Sequence, residues 1–165
     1  MKQLEDPTMA TLTAISAARE GHGAPIHVSE VMTEETMTLS PTQSFAEVVG
    51  LMANRSFHHV LVVDTDERLC GVISDRDVLR AISRTADWSK MCVSEIMTRD
   101  SITTTPDSLI SVAVRAMLEK RINCLPVVGP DERICGILTS TDLLRAYETI
   151  QKAVETNLSI LGAPL

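Results

Sequence analysis

The strongest constraint on this chain is that it carries one pattern twice. Residues 28–82 fall on residues 93–147 at a constant offset of 65, without a gap, and 20 of the 55 aligned pairs are identical. Average residue usage gives about four such identities. VSEVMT (28–33) falls on VSEIMT (93–98), DERLCG (66–71) on DERICG (131–136), and DVLRA (77–81) on DLLRA (142–146). A gapless match of that length duplicates a structural unit, so the fold must be one that two copies of the unit can build together.

Each copy reads as a small mixed unit. VSEVM and VSEIM are short helical turns opened by Ser29 and Ser94. An extended stretch follows, Thr36–Leu39 in one copy and Ser101–Thr104 in the other, and each ends near a proline, Pro41 or Pro106. Phe45, Val48, Val49 and Met52 then recur at i, i+3, i+4 and i+7, and Ile110, Ala113, Val114 and Met117 repeat that spacing. It is the apolar face of an amphipathic helix. Val60–Val63 and Leu125–Val128 are strands, the polar segments 64–68 and 129–133 are turns, and Leu69–Ile73 and Ile134–Leu138 complete two hairpins. A further helix starts after Ser74 and after Thr139. The order β-α-β-β-α, twice over, predicts an α/β fold of the α+β kind. A unit of about 55 residues with one small sheet is marginal alone, so the two copies are expected to pack sheet on sheet with pseudo-twofold symmetry. The division is an N-terminal extension over 1–27, repeat one over 28–83, a linker over 84–92, repeat two over 93–147, and a C-terminal extension over 148–165. Within the extensions, 8–19 reads as a weakly amphipathic helix, 20–27 as a Gly/Pro loop, and 148–160 as a continuation of the last helix with Ile150, Val154 and Leu158 on one stripe.

Composition narrows the function. The net charge of −7 and the lack of a basic stripe argue against nucleic acid. Phe45, Phe57, Trp88 and Tyr147 are too few and too scattered for a stacking platform. No apolar run approaches the roughly 20 residues that span a bilayer, and MKQLEDPTM lacks the apolar region of a signal peptide. The expectation is a soluble cytoplasmic protein with no membrane partner. Cys70, Cys92, Cys124 and Cys135 lack metal-site spacing and read as reduced core residues. His58 and His59 are adjacent on a strand, point to opposite faces, and do not readily share a metal ion. Arg80 and Arg145 read as solvated helical arginines. No nucleophile–base–orienter set and no phosphate-binding G-x-x-x-x-G-K-[S/T] loop is present, so an enzyme is not expected.

What remains is the repeated Gly-apolar-apolar-[Ser/Thr]-x-x-Asp at 71–77 and 136–142. One reading is a capping box, in which the hydroxyl takes the N3 amide and the carboxylate reaches back to the N-cap amide. The other is a nucleotide grip. Free amides at the helix start favour phosphate, and a carboxylate accepts the vicinal hydroxyls of ribose. The two readings are compatible. Glycine at 71 and 136 lets a ligand or a neighbouring backbone come close to the strand.

Met-Thr, Thr-x-x-Pro, the amphipathic helix, LPVV (125–128), and D-E-R-x-x-G-apolar-apolar-[Ser/Thr]-x-x-Asp, in order and largely in both copies, resemble the cystathionine-β-synthase (CBS) domain pair. The resemblance implies a regulatory module that binds an adenosine nucleotide (AMP, ADP, ATP or the related S-adenosylmethionine) in the cleft between repeats, and that associates as a homodimer. It implies phosphate contacts from Ser74 and Thr139 and ribose contacts from Asp77 and Asp142. It also implies base contacts from Thr36–Met37 and Ser101–Ile102, and further phosphate contacts from His58 or Asn123. The first copy departs from the family form at Val60-Leu61, where the second has Leu125-Pro126. It also places the acidic Asp75 at the helix start, where the second has Ser140. The second site is therefore expected to favour a polyphosphate more than the first. The short extensions suggest that any regulated target is a separate chain. The competing reading is a structural dimerisation module without a small-molecule ligand.

Overall fold

The computed structural model describes residues 25–55 and 57–160. The expected helix over 8–19, most of the loop over 20–27, and the side chains of Val154 and Leu158 lie outside the described residues. The elements are β1 (Thr38–Leu39), α1 (Phe45–Arg55), β2 (His59–Val63), β3 (Leu69–Ser74), α2 (Asp75–Arg84), α3 (Val93–Ile96), α4 (Ile110–Lys120), β4 (Cys124–Val128), β5 (Ile134–Thr139) and α5 (Ser140–Ile160), with 3-10 turns at Val28–Glu30 and Trp88–Lys90.

Repeat one has the predicted β-α-β-β-α order. β1 runs parallel to β2, with Thr38 opposite Leu61. β2 and β3 pair antiparallel, with His59 opposite Ser74 and a bulge between Val62 and Val63. Repeat two departs from it, because its sheet holds only β4 and β5, and the stretch over 101–104 forms no strand beyond a bridge residue at Thr104. The stretches differ at three of their four positions, the buried one among them. Leu39 is buried and anchors β1 on the core, whereas its counterpart at the repeat offset is Thr104, half-buried and polar.

The chain divides into two compact units that do not follow the repeat boundary. One comprises, among the described residues, 25–33, 104–125 and 138–160; the other comprises 34–103 and 126–137. Within each unit the opening turn of one repeat docks on the proline turn of the other. In the first unit, Val28 N donates to Ser108 O (2.9 Å), Ser29 N to Pro106 O (3.0 Å) and Ile110 N to Ile26 O (2.9 Å). In the second, Val93 N donates to Gln43 O (2.9 Å), Ser94 N to Pro41 O (3.0 Å) and Phe45 N to Met91 O (2.9 Å). Every bond of one set has its counterpart in the other at an offset of 65. These contacts also correct the expected starts of the turns. Ser29 and Ser94 spend their amides on the partner turn, and the caps are His27 and Cys92. Their amides are taken by Glu30 Oε1 at 2.7 Å and Glu95 Oε2 at 2.6 Å.

In the second unit Leu39, Phe45, Val48, Val60, Val62, Ile73, Val78, Ala81, Val93 and Met97 form the core, with Val49 and Met52 packed against it. The apolar stripe of α1 thus faces inward as its spacing predicts. Trp88 meets Phe45 edge-on, with ring centroids 5.9 Å apart. On α4 the same stripe buries Ala113 and Met117.

The repeated DER tripeptides do more than turn the chain. Glu67 and Glu132 both take positive φ, 64° and 65°, a conformation costing a non-glycine residue about 1 kcal/mol. Each glutamate faces the other hairpin's arginine, Glu132 to Arg68 at 3.2 Å and Glu67 to Arg133 at 3.6 Å. Ile134 N donates to Glu67 O at 3.2 Å, and Arg68 bridges Arg133 antiparallel. The two hairpin tips are therefore clasped reciprocally.

Candidate functional site

At the start of α2, Ser74 is extended (φ −106°, ψ 163°) and caps the helix. Asp77 Oδ2 accepts from Ser74 N (3.0 Å) and Ser74 Oγ (2.6 Å), and Asp77 N donates back to Ser74 Oγ (3.3 Å). The capping box expected from the sequence is formed. The two preceding amides are also engaged. Asp75 N donates to His58 O at 3.1 Å, and Arg76 N donates to Asp75 Oδ1 at 2.7 Å. Asp75 Oδ2 faces His58 Nδ1 at 3.4 Å on an exposed surface. Arg80, read from sequence as a solvated arginine, is exposed but reaches Asp77 Oδ1 at 3.4 Å. His59, half-buried opposite Ser74, titrates below the ordinary value of about 6.5 because burial disfavours its charged form, a shift that Asp75 opposes.

The start of α5 repeats this frame with different occupants. Asp142 Oδ2 accepts from Thr139 N (2.7 Å) and Thr139 Oγ1 (2.5 Å), and Asp142 N donates to Thr139 Oγ1 (3.3 Å). Ser140 N and Ser140 Oγ both donate to Asn123 O, at 3.0 and 3.2 Å. Asp142 is the one buried charged residue among those described, 6% exposed. A third donor joins them: Thr33 Oγ1 reaches Asp142 Oδ1 at 2.9 Å. Burying a carboxylate is costly unless it is hydrogen-bonded, and these three donors meet that requirement.

His58 and Asn123 thus lie beside the helix starts, but the structure engages their backbone carbonyls in the same way in both repeats. Thr36 is half-buried. Met37 gives its carbonyl to Leu61 N at 3.0 Å and packs its side chain on the core. Ser101 Oγ donates to Thr98 O at 3.0 Å, and Ile102 is exposed. Thr98 pairs with Val72 on β3 through both its N–H and its C=O, at 2.8 and 3.0 Å. That pairing brings the segment after the second Met-Thr into the unit that carries Ser74 and Asp77. It also explains Gly71, since a Cβ there would stand 2.7 Å from Thr98 O. At position 71, then, a neighbouring backbone makes the close approach. The four cysteines form no disulfide and are half-buried, less deep than the core placement read from sequence.

Sequence reasoning missed Thr33. The repeated Met-Thr marks the position, but only the exchange of opening turns reveals that the first Met-Thr serves the second mouth.

The family model described as CBS domain matches residues 28–84 and 93–149. Homoserine O-acetyltransferase of Methanohalobium evestigatum is 32% identical over 122 residues, which are 74% of this chain and 24% of that protein, so the chain spans about a quarter of that relative's length. The CBS domain pair of protein MJ0100, solved in complex with 5′-methylthioadenosine and S-adenosyl-L-methionine, superposes with a TM-score of 0.69 at 26% identity, covering 76% of this chain and 98% of that one. CBSX2, solved in complex with AMP, gives a TM-score of 0.68 at 28% identity, again covering 76% and 98%.

Proposed function

The chain belongs to the CBS domain family, and from that premise we propose that it is a regulatory module that binds adenosine nucleotides (AMP, ADP, ATP or S-adenosylmethionine) at the starts of α2 and α5. The observation that carries this reading is the duplicated frame of hydroxyl, carboxylate and helix-start amides. In each copy the hydroxyl and backbone amide fix one carboxylate oxygen and leave the second to face other groups. The relatives solved with AMP and with S-adenosylmethionine support the ligand class. Ser74 and Thr139 are assigned to phosphate, and Asp77 and Asp142 to ribose. Thr36–Met37 and Ser101–Ile102 are assigned to the base, with Ile102 offering exposed apolar surface, and His58 or Asn123 to a further phosphate.

The two starts are not equal toward phosphate. Asp75 covers the N2 amide of α2 with its own carboxylate, while Thr141 at N2 of α5 is exposed and uncharged. The α5 start is therefore the polyphosphate site. The module acts by signalling, not by turnover, and in the cytoplasm, where adenosine nucleotides are abundant. No helix among the described residues is long and apolar enough to cross a membrane. A homodimer is also proposed, since Leu79 on α2 and Leu144 on α5 are 69% and 67% exposed at the same repeat position.

A thermal-shift series tests the reading. A ligand at 100 times its Kd adds about 2.7 kcal/mol of stability, which for a chain of this size raises Tm by about 6–10 °C. A flat series across AMP, ADP, ATP and S-adenosylmethionine contradicts it and leaves the structural dimerisation module.

A further inference from the structure

The acceptor capacity of the two carboxylates differs in one respect that neither capping nor family membership explains. Asp142 Oδ2 is filled by Thr139 N and Thr139 Oγ1, and Asp142 Oδ1 already holds Thr33 Oγ1 at 2.9 Å. A carboxylate offers about four lone-pair positions, two on each oxygen. One position therefore remains on Asp142 Oδ1. Asp77 Oδ2 is filled in the same way by Ser74, but among the described residues its Oδ1 meets only the Arg80 guanidinium, at 3.4 Å, on a side chain 59% exposed. A pair of that length whose arginine is exposed yields at little cost. The counterpart of Thr33 at the repeat offset is Thr98, which, among the described residues, makes no bond to Asp77.

Resting on the proposed nucleotide reading, we infer that Thr33 sets the sugar selectivity of the second mouth by occupying one of the acceptor positions that a ribose diol requires. Asp77 accepts both hydroxyls of the diol. Asp142 accepts one, so the second mouth tolerates the loss of one ribose hydroxyl where the first does not. Both groups involved lie in one compact unit, and the Thr33–Asp142 bond joins residues 109 positions apart. A local cap on α5 has no need of it, because Thr139 already closes the box.

The experiment uses the full chain carrying Asp77→Ala, which isolates the second mouth, with Thr33 retained, replaced by serine, or replaced by the isosteric valine. Each protein is titrated calorimetrically with AMP, 2′-deoxy-AMP and 3′-deoxy-AMP. With Thr33 retained, and equally with Thr33→Ser, one deoxy analogue binds within about twofold of AMP. With Thr33→Val, both deoxy analogues bind about tenfold more weakly than AMP, the loss expected for one hydrogen bond to a charged acceptor. The Thr33→Ser protein keeps the hydroxyl and separates loss of the bond from loss of fold. An unchanged analogue profile in Thr33→Val overturns the inference and leaves the nucleotide reading standing. So does rejection of both analogues while Thr33 is retained, or AMP binding that vanishes with Asp77→Ala alone. Failure of AMP, ADP and ATP to bind even the unsubstituted chain overturns the nucleotide reading and the inference together.

Discussion

The two helix starts are built on one plan and differ in what each leaves open. At α2 the carboxylate is half-buried and the amides are covered: Asp75 takes the N2 amide, and Asp77 Oδ1 faces an exposed arginine. At α5 the carboxylate is buried and held by three donors, while the N2 residue is a neutral, exposed threonine. Duplication preserved the frame, and a handful of side chains gave the copies opposite biases. On the nucleotide reading, one favours sugar and the other favours phosphate. A shared motif therefore specifies a shared backbone geometry and leaves the chemistry to its neighbours.

The largest effect that separates the two is on stability without ligand. Asp142→Ala strips a buried cap and leaves Thr139 N and the Thr33 hydroxyl without their acceptor, for a loss of about 3 kcal/mol. Asp77→Ala, at a half-buried position, costs about 1 kcal/mol. Urea denaturation of the two variants measures this, and equal losses erase the difference in burial on which the contrast stands. Next is Gly71→Ala. The added Cβ meets the Thr98 carbonyl at 2.7 Å, and the strained approach costs about 2 kcal/mol. A variant as stable as the parent removes the reason given for this glycine.

Asp75→Ser makes the first mouth resemble the second by removing a like charge and freeing the N2 amide. ATP affinity at that mouth rises about fivefold relative to AMP, the equivalent of about 1 kcal/mol in a partly solvated site. Calorimetry with both nucleotides reads the ratio, and an unchanged ratio contradicts the phosphate ranking. The smallest effect is a pH dependence confined to the first half. His59 has a folded-state pKa below its ordinary value, so the unfolded chain binds the proton more readily. The associated stability is fully present above about pH 6.5 and is lost as pH falls through the folded value. The counterpart at the repeat offset is Cys124, a thiol in place of the imidazole. His59→Gln flattens the Tm profile below about pH 6.5; a profile of the same slope assigns the acid sensitivity elsewhere.

Much of this was legible in the sequence because it is local. The apolar stripe of α1, the hairpins and the capping boxes each depend on residues within one or two turns of each other. The exchange of opening turns was not legible. VSEVMT and VSEIMT are nearly the same, and each docks on a turn that carries a proline at the same repeat position, so pairing within a repeat and between repeats satisfies the same pattern. Only the path of the chain decides between them. The missing first strand of repeat two falls where 36–39 and 101–104 share only the threonine at 38 and 103, a local difference hidden within a match of 20 in 55 positions. Thr33 stayed hidden for a related reason, since its partner is 109 residues away. The DER clasp escaped as well, because charged residues in a turn read as solvated unless the opposite hairpin is in view.

The most direct measurement is a calorimetric titration of the unsubstituted chain and of Asp77→Ala with ATP. The unsubstituted chain should bind ATP, and Asp77→Ala should keep the tighter ATP-binding event while losing a weaker one. Absence of heat from either protein, or loss of the tighter event on removing Asp77, contradicts the assignment of the α5 start as the principal phosphate site of a nucleotide-binding pair.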